Sequence, residues 1–134
     1  MVIFMKRRPS PQGFTLVEIL VIVGIIALLV TLALPNLQRA KLAANESSAK
    51  ATLKTISTSL ENYAVLNSIY PTATSLLIGA SPPYLSVDYF SGPHNGYSFT
   101  SVLADYSYTI TATPVNSNTG TQSFMITTGG VLTP

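Results

Sequence analysis

One carboxylate stands where carboxylates are rarely found. Glu18 lies four residues after Phe14, inside residues 14–34, FTLVEILVIVGIIALLVTLAL, a run with no other charge. Fifteen of these 21 side chains are Phe, Leu, Ile or Val. At about 0.3–0.6 kcal/mol each, they outweigh the roughly 2.5–3.5 kcal/mol that one charge costs at the centre of a membrane-spanning helix. Insertion is therefore favoured, and Glu18 is left as a costly charge in search of a partner. The remaining chemistry is sparse. There is no cysteine, hence no thiol nucleophile, disulfide or Cys-based metal site. His94 is the single histidine and sits in a Pro/Gly loop. Asp88 and Asp105 are too isolated in sequence to make more than a weak calcium signal. No nucleophile–base pair and no P-loop can be named, so neither an enzyme nor a bound cofactor is expected.

Three elements must position Glu18. Lys6, Arg7 and Arg8 precede the run and hold that end on the cytoplasmic side. Residues 9–13, Pro-Ser-Pro-Gln-Gly, disfavour helix and leave an accessible stretch. The run itself is long enough to span a hydrocarbon core, and in lipid only a helix satisfies its backbone internally. Without residues 1–13 the chain carries four basic against five acidic side chains, so the net +2 of the whole describes the leader. It is no argument for nucleic-acid binding.

Pro35 lacks an N–H and is expected to end or kink the run. Helical periodicity then resumes: Leu42, Ala49, Leu53, Ile56, Leu60 and Tyr63 make one apolar stripe. Arg39, Lys41, Glu46, Lys50, Lys54 and Glu61 fall mostly away from it, with Glu46 and Lys50 spaced as a favourable i,i+4 pair. One interrupted helix from about Phe14 to about Asn67 is expected, stopped by Tyr70-Pro71. Residues 71–96 are a Pro-, Ser- and Gly-rich connection with room for a helical turn at Ser75–Ile78. From residue 97, Tyr97 and Phe99, then Tyr106, Tyr108, Ile110 and Ala112, then Phe124 and Ile126, alternate with polar neighbours, which signals half-buried strands. Pro114 to Gly120 reads as a hairpin loop and Gly129-Gly130 as a turn. The fold class is therefore α+β: a long N-terminal helix, transmembrane in its first half and amphipathic in its second, packed against a small antiparallel sheet. The organisation is a leader (1–13), a transmembrane or filament-core helix (14–35) and a head (36–134). The head comprises an amphipathic helix (36–67), a loop (71–96) and strands (97–134).

The junction Gly13-Phe14-Thr15-Leu16-Val17-Glu18 behind a basic leader closely resembles the class III signal of type IV prepilins and type II secretion pseudopilins. The resemblance is strong over residues 6–66; the strand-rich half shares only the general layout. It implies cleavage between Gly13 and Phe14 by a membrane-embedded prepilin peptidase, which also N-methylates Phe14. Glu18 matches the family's glutamate, and Pro35 its helix-interrupting proline. The family implies a helical homo-oligomeric filament, built by an inner-membrane platform and motor ATPases. The subunit would pass from the plasma membrane to the cell surface. Pairing Glu18 with the new amine of a neighbouring subunit would neutralise both charges and set the axial step. Gly24 and Ala27 would let the apolar helices approach closely. The function implied is a type IV pilus subunit serving adhesion, twitching motility or DNA uptake. The alternative is a pseudopilin of type II secretion. Arg39, Lys41, Lys50 and Lys54 lack the aromatic interleaving of a nucleic-acid surface and suit inter-subunit salt bridges or a solvated face. One departure is plain: many pilins close a C-terminal loop with a disulfide, and this chain has no cysteine to do so.

Overall fold

The computed structural model describes residues 13–134. Two helices precede four strands: α1 (Leu16–Asn67), α2 (Ser75–Ile78), β1 (Tyr97–Ala104), β2 (Ser107–Pro114), β3 (Phe124–Thr127) and β4 (Val131–Thr133). The chain forms two compact units, the first ending at Asn36 and the second running Leu37–Pro134.

In the second unit the strands form an antiparallel meander in the order β1-β2-β3-β4. The register sets Phe99 beside Ala112 and Ala112 beside Phe124, with Ile110 beside Ile126 and Ile126 beside Leu132. Alternation therefore gathers Tyr97, Phe99, Tyr108, Ile110, Ala112, Phe124 and Ile126 on one buried face. That face covers the helical stripe, of which Ala49, Leu53, Ile56 and Leu60 are buried, while Leu42 and Tyr63 are half-buried. Each fully buried aliphatic or aromatic side chain contributes about 1.5–3 kcal/mol, so the stripe and the sheet hold one another.

Three sequence expectations need adjustment here. Tyr106 is not on the inner face; it stands in the two-residue turn between β1 and β2 and is 79% exposed. Residues 71–96 are more than a connection, since Leu77 of α2 and Leu85 are buried in the same core. Leu77 is fixed because its carbonyl accepts from the main-chain N–H of both Tyr84 and Leu85.

Glu61 is the third. Its carboxylate is not left to solvent but collects three donors: the Tyr108 hydroxyl (2.9 Å) and the Gly129 N–H (3.1 Å) on Oε1, and the Tyr70 hydroxyl (2.9 Å) on Oε2. The Ser57 hydroxyl lies 2.7 Å from that of Tyr108, and both residues are buried. Burial, and then the neighbouring Glu61 carboxylate, push the Tyr70 hydroxyl up to about 12. Burial chiefly raises Tyr108 as well.

The Glu46 carboxylate turns to Thr121, whose N–H and hydroxyl donate to Oε1 at 3.0 and 2.6 Å. These bonds hold its carboxyl below the usual range, with a weaker coulombic contribution from Lys50. The Lys50 ammonium lies 4.6 Å above the Phe124 ring. Asp88 accepts from the Phe90 N–H at 2.9 Å and shapes its own turn.

Candidate functional site

In the first unit α1 begins at Leu16, and the reason is local. The Thr15 N–H and hydroxyl both donate to Glu18 Oε2 at 2.8 Å, and the Glu18 N–H donates to Thr15 Oγ1 at 3.2 Å. This reciprocal pair is a capping box, which satisfies two amides that a helix start otherwise leaves unpaired. The signal is legible as Thr-x-x-Glu ahead of an apolar run. It is a role for Thr15 that the sequence expectations passed over. Its consequence is that Gly13 and Phe14 stay outside the helix. Both are exposed, Phe14 to 80%. A Cβ added at Gly13 would meet no atom within 4 Å. Nothing in the described residues fills the space a side chain would take there.

Glu18 lies one turn inside this end. Both bonds from Thr15 fall on Oε2, and among the described residues no donor reaches Oε1. One carboxylate oxygen is thus committed to the helix start, and the other remains for a further cation. Phe14, Val17, Glu18, Val21 and Ile22 line one open groove, and Phe14 lines another with Leu16, Ile19, Leu20 and Val23 among others. The structure therefore brings Gly13, Phe14 and Glu18 together at one end.

Pro35 lies far along α1 from them. Helical structure continues through it instead of ending there. Its missing N–H removes one rung, the one that would reach the Thr31 carbonyl. Nearby side chains bond the main chain as well, the Thr31 hydroxyl to the Ala27 carbonyl (2.8 Å) and the Asn36 amide to the Leu32 carbonyl (3.3 Å).

The apolar side chains from Leu16 to Leu34 are exposed on every face, from 46% at Val30 to 80% at Leu16. A helix apolar all round belongs in lipid or inside a bundle. Among the described residues α1 is the one helix long and apolar enough to cross a membrane, with a mean hydropathy of 2.9 over its most apolar stretch. Gly24 offers an open face, with no atom within 4 Å of an added Cβ.

Comparison with known proteins agrees with this end of the molecule. Residues 8–34 match the prokaryotic N-terminal methylation motif. The chain is similar to the type II secretion system core protein G of Klebsiella michiganensis, 38% identical over 66 residues that cover 49% of this chain and 46% of that protein. It is similar to the Escherichia coli core protein G, 33% identical over 89 residues (63% of this chain, 61% of that protein). It is also similar to the type IV wide pilus major component of Thermus thermophilus, 29% identical over 109 residues (78% and 83%). The chain spans about half the length of several of the core G proteins it matches, 46% and 47% for those of Klebsiella and Vibrio cholerae. Motif and apolar helix fit a membrane-anchored precursor. With the methylation motif, the helix-on-sheet head and relatives of both kinds, the chain is similar to the type IV pilins and type II secretion pseudopilins.

Proposed function

We propose that this chain is the structural subunit of a type IV pilus. A prepilin peptidase removes residues 1–13 after Gly13 and methylates Phe14. The subunit waits in the plasma membrane and is then drawn into a helical filament by an assembly platform and its motor ATPases. Adhesion, twitching motility or DNA uptake is the use of the fibre, and the chain itself performs no catalysis.

The observation that carries this reading is the state of Glu18. It is the only charge in an otherwise apolar helical run, it sits one turn from Phe14, and one of its oxygens is uncommitted. A charge in lipid demands an opposite charge, and leader removal creates one in the amine of Phe14. A neighbouring subunit's amine reaching that oxygen neutralises both groups and fixes the axial step. The exposed apolar faces then close on one another, with the open side of Gly24 available for close approach. Pro35, with its missing rung, is where the helix is most easily opened as subunits join.

A pseudopilin of type II secretion is the second reading, favoured by identities of 33–38% to core protein G. The pilus reading draws support from extent. A match that covers 78% of the chain must include at least β1 of the head, whereas one of 66 residues is about the length of leader plus helix.

Mass spectrometry of material sheared from cells tests the processing, with a chain beginning at N-methyl-Phe14 expected. A mature chain that keeps its leader, or starts beyond the apolar run, overturns the scheme. Deletion of the gene separates the two readings: loss of long surface fibres supports a pilus, and loss of secretion with fibres intact supports a pseudopilus.

A further inference from the structure

The loop between β2 and β3, residues 115–123, is held in one shape. The Asn45 amide donates to the Thr119 carbonyl at 2.9 Å, and Thr121 is tied to Glu46. Within the loop, Thr119 and Asn116 bond each other through main chain and hydroxyl, and Asn116 Oδ1 accepts from the Asn118 N–H at 3.0 Å. Beside this fixed loop is a concavity of about 270 Å³ lined by Gln38, Lys41, Leu42, Ser117 and Asn118. Among the described residues, none of the four polar side chains lining it has a protein partner.

Every polar group at the rim can donate a hydrogen bond, and one is a full positive charge. Arg39 is a second cation on the same stretch of α1. The nearest acid in sequence, Glu46, is turned to Thr121. The site therefore suits an anion with several oxygen acceptors. Chain connectivity says which. Lys41 follows Leu34, the end of the apolar run, by seven residues. These residues are helical, and at 1.5 Å per helical residue seven of them amount to about 10 Å. The headgroup layer is about 5–8 Å deep on each side of a bilayer, and a lysine stem readily carries its ammonium into it.

We propose that the concavity formed by Gln38, Lys41, Ser117 and Asn118 binds the phosphate of a membrane phospholipid on the non-cytoplasmic face, docking the head on the bilayer while the subunit is stored. The inference rests on the membrane-stored subunit of the preceding section. Lys41 supplies the charge, and Ser117 and Asn118 supply directed donors from the loop. Extraction into a filament must break this contact, so the site holds unassembled subunits at the surface.

The test is nitrogen-to-phosphorus solid-state NMR on the full, isotope-labelled chain in vesicles of phosphatidylethanolamine and phosphatidylglycerol, in phosphate-free buffer. Dephasing by lipid phosphorus is expected at Lys41 Nζ and at the Asn118 side-chain amide, and not at Lys54. The double variant Ser117→Ala/Asn118→Ala, confined to an exposed loop, should lose most of the Lys41 signal. Addition of inorganic phosphate, which has its own phosphorus resonance, should leave the contact with lipid. Transfer of the contact to free phosphate overturns the lipid assignment. Dephasing at Lys41 without Asn118 means a lysine that merely reaches the surface, and overturns the site. A chain that floats with the vesicles but shows neither signal refutes this inference alone. A chain that does not float refutes the membrane reading with it.

Discussion

Removal of the Glu61 carboxylate is the most direct test of what holds the head closed. Glu61→Ala deletes the acceptor of three hydrogen bonds, from Tyr108, Tyr70 and Gly129. Bonds to a charged acceptor contribute about 1.5–3 kcal/mol each, but the three losses are unequal. Gly129 is exposed and its N–H finds water. Tyr70 is half-buried and recovers part of its loss. Tyr108 is buried and keeps only Ser57, so its loss is felt almost in full. A total of about 3 kcal/mol follows, which in a domain of this size lowers the melting temperature by about 12–24 °C. Glu61→Gln keeps the shape and one acceptor oxygen, and should lose about half as much. Thermal unfolding followed by tyrosine near-UV circular dichroism in detergent gives the magnitude. Amide exchange gives the location, with Gly129 and β4 losing protection first. A shift below about 4 °C for the alanine variant, or unchanged exchange at Gly129, would refute the reasoning.

Gly120→Ala should destabilise the head by about 1–3 kcal/mol, because an added Cβ would run into the Tyr97 ring and hydroxyl; calorimetry reads the loss, and Tyr97→Phe should not relieve it, since ring carbons also block the space. Glu18→Ala should insert normally yet fail to form fibres, whereas Thr15→Val, which removes only the capping hydroxyl, should slow assembly, and Thr15→Ser should restore it; fibre yield by electron microscopy reads all three, and normal fibres from Glu18→Ala would defeat the pairing argument. Tyr70 titrates higher in the folded head, at about 12 against an ordinary 10, so the folded state binds more protons between these values. Its contribution is complete below pH 10 and is lost as pH rises from about 10 to about 12; a head whose stability is flat across that window contradicts the burial of the Tyr70 hydroxyl beside Glu61.

Much of the architecture was legible because burial imposes periods. The run from Ala49 to Leu60 repeats at helical spacing, and Tyr108-Ile110-Ala112 repeats at two, so each declares its element and its inner face. In the sequence Gly13, Phe14 and Glu18 mark a junction of charge, glycine and apolar run. Tyr106 was misassigned because it continues the alternation of β2 by one step, while the turn that expels it is set by pairing with β1, a non-local fact. Leu77 and Leu85 carry no period, and only the folded chain shows that they complete the core. Glu61 and Glu46 fall away from the apolar stripe, yet both carboxylates meet donors from the sheet side, because a helical wheel shows which way a residue faces but not which loop lies over it.

Those two glutamates bear on how a head without cysteine secures its tail. Glu46 and Glu61 lie fifteen residues apart on α1, about 22 Å along a helix. The first accepts from Thr121, just ahead of β3, and the second from Gly129, just after it. The strand that brings in the C-terminal hairpin is thus clipped to the helix at both ends by carboxylates. A disulfide acts largely by restricting the unfolded chain, whereas these clips act only in the folded one and leave the unfolded ensemble unrestrained. Such a head should open under load, or on loss of either clip, as a unit beginning with β3 and β4, since β1 and β2 are joined by a full eight-residue ladder and Tyr108 of β2 is held to α1 by Ser57 as well as by Glu61. Of the three glutamates on α1, two are consumed in holding the head, and among the described residues Glu18 alone is tied to nothing beyond its own helix start. On the proposed pilus reading, the carboxylate left for another subunit is the one that membrane insertion makes least able to remain alone.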